Sequence, residues 1–207
     1  DEEITAALKV VGQGKILSLS QDDLTLRKNL PETSIYLAAI AKGYGVDQVA
    51  AVLKQAGLDD YMVEIGGDLV TSGLNPKGEP WRIGIERPDA GSQTVEDVVN
   101  VSGLGMATSG DYRNYFEQNG IRYSHIIDAN TGRPITHGTA SVTVLAPDAM
   151  MADGWATALL AMGREPGLKL AEAEGLAVLF IERNSDSGQI GFETTVSSQF
   201  SKLQASQ

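Results

Sequence analysis

The stretch SVTVLAPDAMMADGWATALLAMG, residues 141–163, changes its hydrophobic period halfway along, and that change decides the fold. Ser141 to Leu145 alternates polar with apolar, the pattern of a strand. Pro147-Asp148 then opens a helix that runs to Gly163. Proline is tolerated in a first helical turn, and the Asp148 carboxylate suits the positive end of the helix dipole.

Upstream of this stretch, Tyr61 to Ile65 reads as a strand, Trp81, Ile83 and Ile85 alternate strictly, and Val95 to Val101 forms another apolar run. Asn75-Pro76-Lys77-Gly78 between them is a turn. Tyr112 to Gln118 is aromatic and ends in Asn119-Gly120, the strongest short hairpin signal, after which Ile121 to Ile127 extends again. Thr131-Gly132-Arg133-Pro134 closes that segment as a further turn. Ile40, Val46, Val49, Val52 and Leu53 predict a helix from Ala38 to Gly57, with Gly57 as its C-terminal stop and Gly43 and Gly45 allowing close approach near its start.

At the N-terminal side, Ile4, Leu8 and Val11 predict a short helix. Lys15 to Leu19 and Leu24 to Arg27, around Gln21-Asp22-Asp23, predict a hairpin. Downstream come a helix from Pro166 to Glu174, a buried strand from Leu176 to Ile181 and a polar tail. Glu64-Ile65-Gly66-Gly67-Asp68 is no dinucleotide fingerprint and reads as a strand ending in a tight bulge. No internal repeat, low-complexity tract or linker interrupts the chain. The expectation is one α+β domain with a largely antiparallel sheet and packed helices.

Composition narrows the function. The 207 residues are 42% hydrophobic and 21% charged, ordinary for a folded protein, and long enough to bury a sizeable core. A formal charge of −11, with the acids scattered, argues against nucleic-acid binding through a basic patch and against direct approach to anionic lipid. The absence of cysteine excludes thiolate metal sites, cysteine nucleophiles and disulfides. No run approaches the roughly 20 apolar residues of a spanning helix, and no signal peptide opens the chain. Asp1-Glu2-Glu3 reads as a processed or trimmed end.

Three groups of residues have chemical potential. Asp153 and Thr157, four apart in the expected helix, share a face and offer the hard oxygen donors that magnesium takes, although on spacing alone such a pair is more often a solvated face. His125, in Ser124-His125-Ile126-Ile127-Asp128, suits a general acid or base or a phosphate contact, although a lone histidine in a strand is more often structural. Asp128, three residues on in an extended run, does not automatically share its face. Ala38 to Gly45 places small residues and Lys42 at a helix start, where exposed N–H groups and a cation favour an anion; the pattern is not a P-loop.

Taken in order, these segments resemble the FAD:protein FMN transferases, the ApbE family. The resemblance is carried by Ala39-Ile40-Ala41-Lys42-Gly43-Tyr44 with Val46-Asp47, Gly66-Gly67-Asp68, and Pro80 to Ile85. Thr108-Ser109-Gly110-Asp111-Tyr112-Arg113, Ser124 to Asp128 with Thr131 to Pro134, and Ala152-Asp153 through Thr157-Ala158 complete it. No single motif decides the matter, but six in register along nearly the whole chain are specific.

The resemblance implies an ApbE-like (T-fold-like) domain over residues 1–207. It implies an enzyme that cleaves FAD between its phosphates with Mg²⁺ and transfers FMN to a Thr or Ser of a partner flavoprotein, typically a subunit of a membrane redox complex, releasing AMP. The alternatives are an FAD pyrophosphatase giving FMN and AMP, and a flavin-binding protein without catalysis. By motif position, Asp153, the Thr157 hydroxyl and the Ala39 carbonyl would hold the metal, His125 would be catalytic, and Lys42 and Ile127 would contact FAD. Tyr36 stands where the family carries a cofactor-binding Asp, and a phenol does not replace a carboxylate as an anionic acceptor. Family chains are about half as long again, with an N-terminal part absent here, and the expected setting is periplasmic, anchored to the inner membrane as a lipoprotein.

Overall fold

The computed structural model describes residues 1–89, 94–111, 115–118, 121–184 and 191–205, with backbone only at 115–118 and 121–122. The chain starts with α1 (Glu2–Ala7), a 3₁₀ turn (Leu8–Val10), α2 (Gln13–Ile16) and a hairpin of β1 (Leu17–Ser20) and β2 (Thr25–Lys28). The long helix α3 (Ala38–Gln55) follows. It stops at Gly57, whose φ is +77°, with the Leu58 N–H bonded back to Leu53 and the Gly57 N–H to Lys54, a Schellman arrangement. The expected C-terminal glycine is therefore in place.

Next come β3 (Tyr61–Ile65), β4 (Asp68–Ser72), β5 (Arg82–Glu86), β6 (Val95–Asn100) and β7 (Gly105–Gly110). Gly66-Gly67 is not a bulge: with φ of +58° and +95° it forms the two-residue turn that folds β3 onto β4, placing Ile65 opposite Asp68. The strands β8 (Tyr115–Gln118) and β9 (Ile121–Ser124) pair with Gln118 opposite Ile121, as a hairpin there requires; Tyr112, Asn119 and Gly120 lie outside the described residues. The extended run does not continue to Ile127, because His125 sits in a bend before the short pair β10 (Ile127–Asp128) and β11 (Arg133–Pro134).

The remaining elements are β12 (Thr139–Ala146), α4 (Ala149–Met162), α5 (Arg164–Glu174), β13 (Ala177–Asn184), β14 (Gly191–Val196) and α6 (Ser198–Ala205). The polar tail is thus a strand and a helix. Ser197 is fully buried and caps α6 by accepting the Phe200 N–H, while its hydroxyl donates to the Leu176 carbonyl. Phe200, carried by that helix, reaches the core.

Six strands form one antiparallel sheet in the order β14-β13-β12-β7-β4-β3, so the fold is α+β with the expected strand direction. Strand β12 is buried along its whole length. Val142 and Val144 pack with Leu159, Leu160 and Phe180 under α4 and α5. Leu145 faces the other way, with Ile85, Val99 and Phe200. Thr143 of this strand is accommodated by pairing: its Oγ1 lies 2.8 Å from Thr108 Oγ1 on β7. A third cluster, Val46, Ala50, Val63 and Val70, seats α3 on β3 and β4.

The first turn of α4 sits in a socket of small residues. A Cβ added to Gly43 of α3 would come within 2.3 Å of the Ala149 carbonyl oxygen, and one added to Gly105 of β7 within 2.3 Å of the Asp148 carbonyl carbon. Backbone is thus packed on backbone from two sides. The helix's first amides, which have no partner within the helix, are all taken up. Asp47 of α3 accepts from Ala149 and Met150 at 2.9 Å each, Asp148 caps Met151 at 2.7 Å, and the Ala152 N–H reaches the Asp148 carbonyl.

Two glycines two residues apart on α3 therefore behave oppositely. Gly43→Ala forces backbone apart and is expected to cost about 1–3 kcal/mol, the range for overpacking. Gly45→Ala meets nothing within 4 Å and is expected to be neutral or to gain up to about 1 kcal/mol from helix propensity. Urea unfolding of both variants checks this; equal effects would contradict the socket.

Candidate functional site

The start of α3, the β3–β4 turn, strand β5, the end of β7, the bend at His125 and one face of α4 surround a cavity of about 740 Å³. Five of the residues singled out in the sequence line it: Ala39, Lys42, His125, Asp153 and Thr157. The volume is in the range of small-molecule sites. Tyr36 and Ile127 do not line it. Tyr36 lies in the segment before α3 with its side chain 88% exposed, and Ile127 is half exposed; their neighbours Ala38 and Ile126 reach the cavity instead.

Asp153 and Thr157 are one turn apart on α4, and neither is a solvated-face residue in the ordinary sense. Asp153 is 5% exposed, and its Oδ2 accepts the Gly43 N–H at 3.1 Å. That N–H is the donor a regular α-helix aims at the Ala39 carbonyl, so Asp153 competes with Ala39 for it. Thr157 Oγ1 lies 3.1 Å from the Ser109 hydroxyl, which fixes its side chain against β7. The helix α3 carries no side-chain cap at its N-terminus, and Ala38 and Ala39 of its first turn border the cavity.

Sequence reading named Asp68 only within a family motif and gave it no role. The Gly66-Gly67 turn delivers it to the start of β4, where it is only 1% exposed. Its Oδ1 is 3.0 Å from the Lys42 ammonium, which also donates to the Gly66 carbonyl at 3.1 Å. Burial pushes its pKa up to about 6, Lys42 opposes the rise, and the nearby Asp153 carboxylate adds to it. The available signal was a carboxylate beside a Gly-Gly turn in an otherwise apolar hairpin.

His125 is exposed at the cavity edge. Asp128 is committed elsewhere: it accepts from Asn130 N at 2.9 Å and from Thr131 Oγ1 at 3.0 Å, closing its own turn. The Asn130 backbone N–H first, with the Thr131 hydroxyl, holds the Asp128 carboxyl below its usual range.

The donor set fits a hard divalent cation. Asp153, Thr157 and the Ala39 carbonyl are all oxygen donors, the type Mg²⁺ takes. Among the described residues there is no cluster of three or more His, Cys, Asp or Glu side chains. An ion here would draw its other ligands from water and phosphate, as Mg²⁺ commonly does.

The raised Asp68 pKa has a signed consequence for the metal-free protein. The folded state holds this proton more tightly than the unfolded chain, so the associated stability is complete below pH 3.8 and is lost as pH rises through about 6. Asp68→Asn removes that dependence. In chelator, the denaturation midpoint of the variant is expected to move upward relative to the parent between pH 4 and pH 7; a pH-independent difference would refute it.

Comparison with known proteins identifies the family. The ApbE family model matches residues 1–180. A FAD:protein FMN transferase of Vibrio cholerae is 48% identical over 97% of this chain, and one of Haemophilus influenzae is 47% identical over 98%. The chain spans 58% of the length of each of these two relatives. Among solved structures, the flavin transferase ApbE from Vibrio cholerae superposes with a TM-score of 0.85 at 45% identity, covering 98% of this chain and 62% of that one. The apo form of Pseudomonas stutzeri flavinyl transferase ApbE gives 0.83 at 43%, covering 98% and 60%. With its sheet, its helices and most of its length matched in this way, the chain belongs to the ApbE family.

Proposed function

We propose that the protein carrying this chain transfers FMN from FAD to a Thr or Ser hydroxyl of a target flavoprotein with the help of Mg²⁺, releasing AMP. The supporting observation is the convergence of Ala39, Lys42, His125, Asp153 and Thr157, from three separate parts of the chain, on one cavity. Relatives that share the fold bear the name FAD:protein FMN transferase.

In this reading Asp153, Thr157 and the Ala39 carbonyl hold the cation. Bound there, Mg²⁺ would draw charge from a pyrophosphate oxygen and ease the departure of AMP. Lys42 supplies a positive charge for the phosphates, already oriented by Asp68 and Gly66. His125, at the exposed edge, is placed where an acceptor protein's hydroxyl can arrive, and takes its proton as the new O–P bond forms. The bond between the two phosphates breaks, and AMP leaves.

The proposed partners are subunits of membrane redox complexes, and the proposed setting is the periplasm, tethered to the inner membrane as a lipoprotein. No helix among the described residues is long and apolar enough to cross a membrane. The exposed Tyr36 would leave the cofactor one anionic contact short.

Incubation with FAD, Mg²⁺ and a Thr-containing acceptor domain, followed by mass spectrometry, is expected to show an FMN-sized increment on the acceptor together with AMP. Chelation should stop it. Asp153→Ala should lower the rate by more than about 100-fold, beyond the loss typical of an outer-shell partner. AMP and free FMN without acceptor would point to pyrophosphatase action, metal-independent FAD binding without turnover to a binding role, and full activity in Asp153→Ala would remove the metal assignment.

A further inference from the structure

The Asp68 carboxylate is half satisfied. Its Oδ1 meets Lys42, but its Oδ2 is buried without a hydrogen-bond partner. Buried carboxylate oxygens are normally paired, and leaving one bare is costly. Lys42 lies against Oδ1 alone and donates as well to the Gly66 carbonyl. Besides Lys42, Asp68 meets another carboxylate, Asp153, at side-chain hydrogen-bond reach. Two buried carboxylates thus face a single ammonium, and the cluster is short of positive charge.

Both groups that Asp68 meets, Lys42 and Asp153, line the cavity, and so does Gly67 beside it. The turn holding Asp68 is fixed on its outer side by the Glu64 carboxylate, which accepts the Gly67 N–H at 2.6 Å. Asp153 in turn spends one oxygen, Oδ2, on the Gly43 N–H. A cation between the two carboxylates would satisfy the bare Asp68 oxygen and relieve their repulsion together.

Granted the ion that the proposed function assigns to Asp153 and Thr157, we infer that Asp68 is a second carboxylate ligand of the same divalent cation. Lys42, held on the other oxygen of Asp68, is then tied to the ion through one side chain. Its ammonium and the ion are placed on adjacent sides of whatever anion binds.

Manganese alone is the probe. Titration of the metal-free protein with Mn²⁺, followed by electron paramagnetic resonance of the free ion, is expected to show a site that Asp153→Asn loses. Asp68→Asn should weaken it by at least about tenfold, since even outer-shell partners of a metal matter on that scale. Circular dichroism must show the variants folded. Unchanged Mn²⁺ affinity in Asp68→Asn, with loss in Asp153→Asn, would overturn the role of Asp68 and leave the proposed function standing. No binding by the parent protein would overturn both. Should Asp68→Asn fail to fold, the anomalous signal of Mn²⁺ in crystals of the unaltered protein decides: an ion bound to Asp153 but out of reach of Asp68 Oδ2 refutes the inference, and one touching both carboxylates supports it.

Discussion

The first turn of α4 is the fixed point of the structure. Gly43 on α3 and Gly105 on β7 let two other backbones come into contact with it, and Asp47 ties its amides to α3. A side chain at either glycine would need the backbone to move, so the geometry of helix on helix and helix on sheet is set by atoms that cannot change rotamer. Protein interiors are dense enough that such contacts transmit position over several residues. One turn further along α4 lies Asp153, and another turn on lies Thr157.

The chemistry of the cavity inherits its placement from that junction. The Gly43 whose missing side chain admits α4 also gives its N–H to Asp153, so one residue serves packing and electrostatics. Asp68 is brought up from the other side by a turn that only glycine adopts readily, with both residues at positive φ. Lys42, next to Gly43 on α3, ties that turn to the helix through Asp68 and the Gly66 carbonyl. Burial removes water from the Asp68 carboxylate and pushes its pKa up, and Lys42 only partly offsets this. The shape of the cavity therefore depends on Gly43, Gly66 and Gly67, of which the last two also line it.

Much of this was legible in residues 141–163, where a period of two gives way to a helix bounded by Asp148 and Gly163. The helix α3 and its glycine stop were equally readable. What escaped were elements whose residues have little intrinsic preference for strand. Strand β7, Gly105 to Gly110, is small and polar, yet it is held in the middle of the sheet by β12 and β4. Tertiary context supplied what propensity did not. The C-terminal helix was hidden in a polar tail, although Ser197 three residues before Phe200 was a usable capping signal. At the site, spacing put Asp153 and Thr157 on one face but favoured a solvated one, the helix-start pattern picked out Lys42, and the family motifs supplied the metal reading with Ala39. Asp68 stood in a family motif without a role because its significance lies in burial, which a local motif does not display, and the turn-closing bonds of Asp128 are likewise invisible in sequence.

The account stands or falls on the rigidity of the α3–α4 junction. Native-state hydrogen exchange of the Gly43 amide measures it directly, since that N–H is buried against Asp153 and opens only if the two helices part. Exchange with the free energy and denaturant dependence of global unfolding is the predicted result. Fast exchange by local opening, while the β12 and β13 amides stay protected, would contradict it.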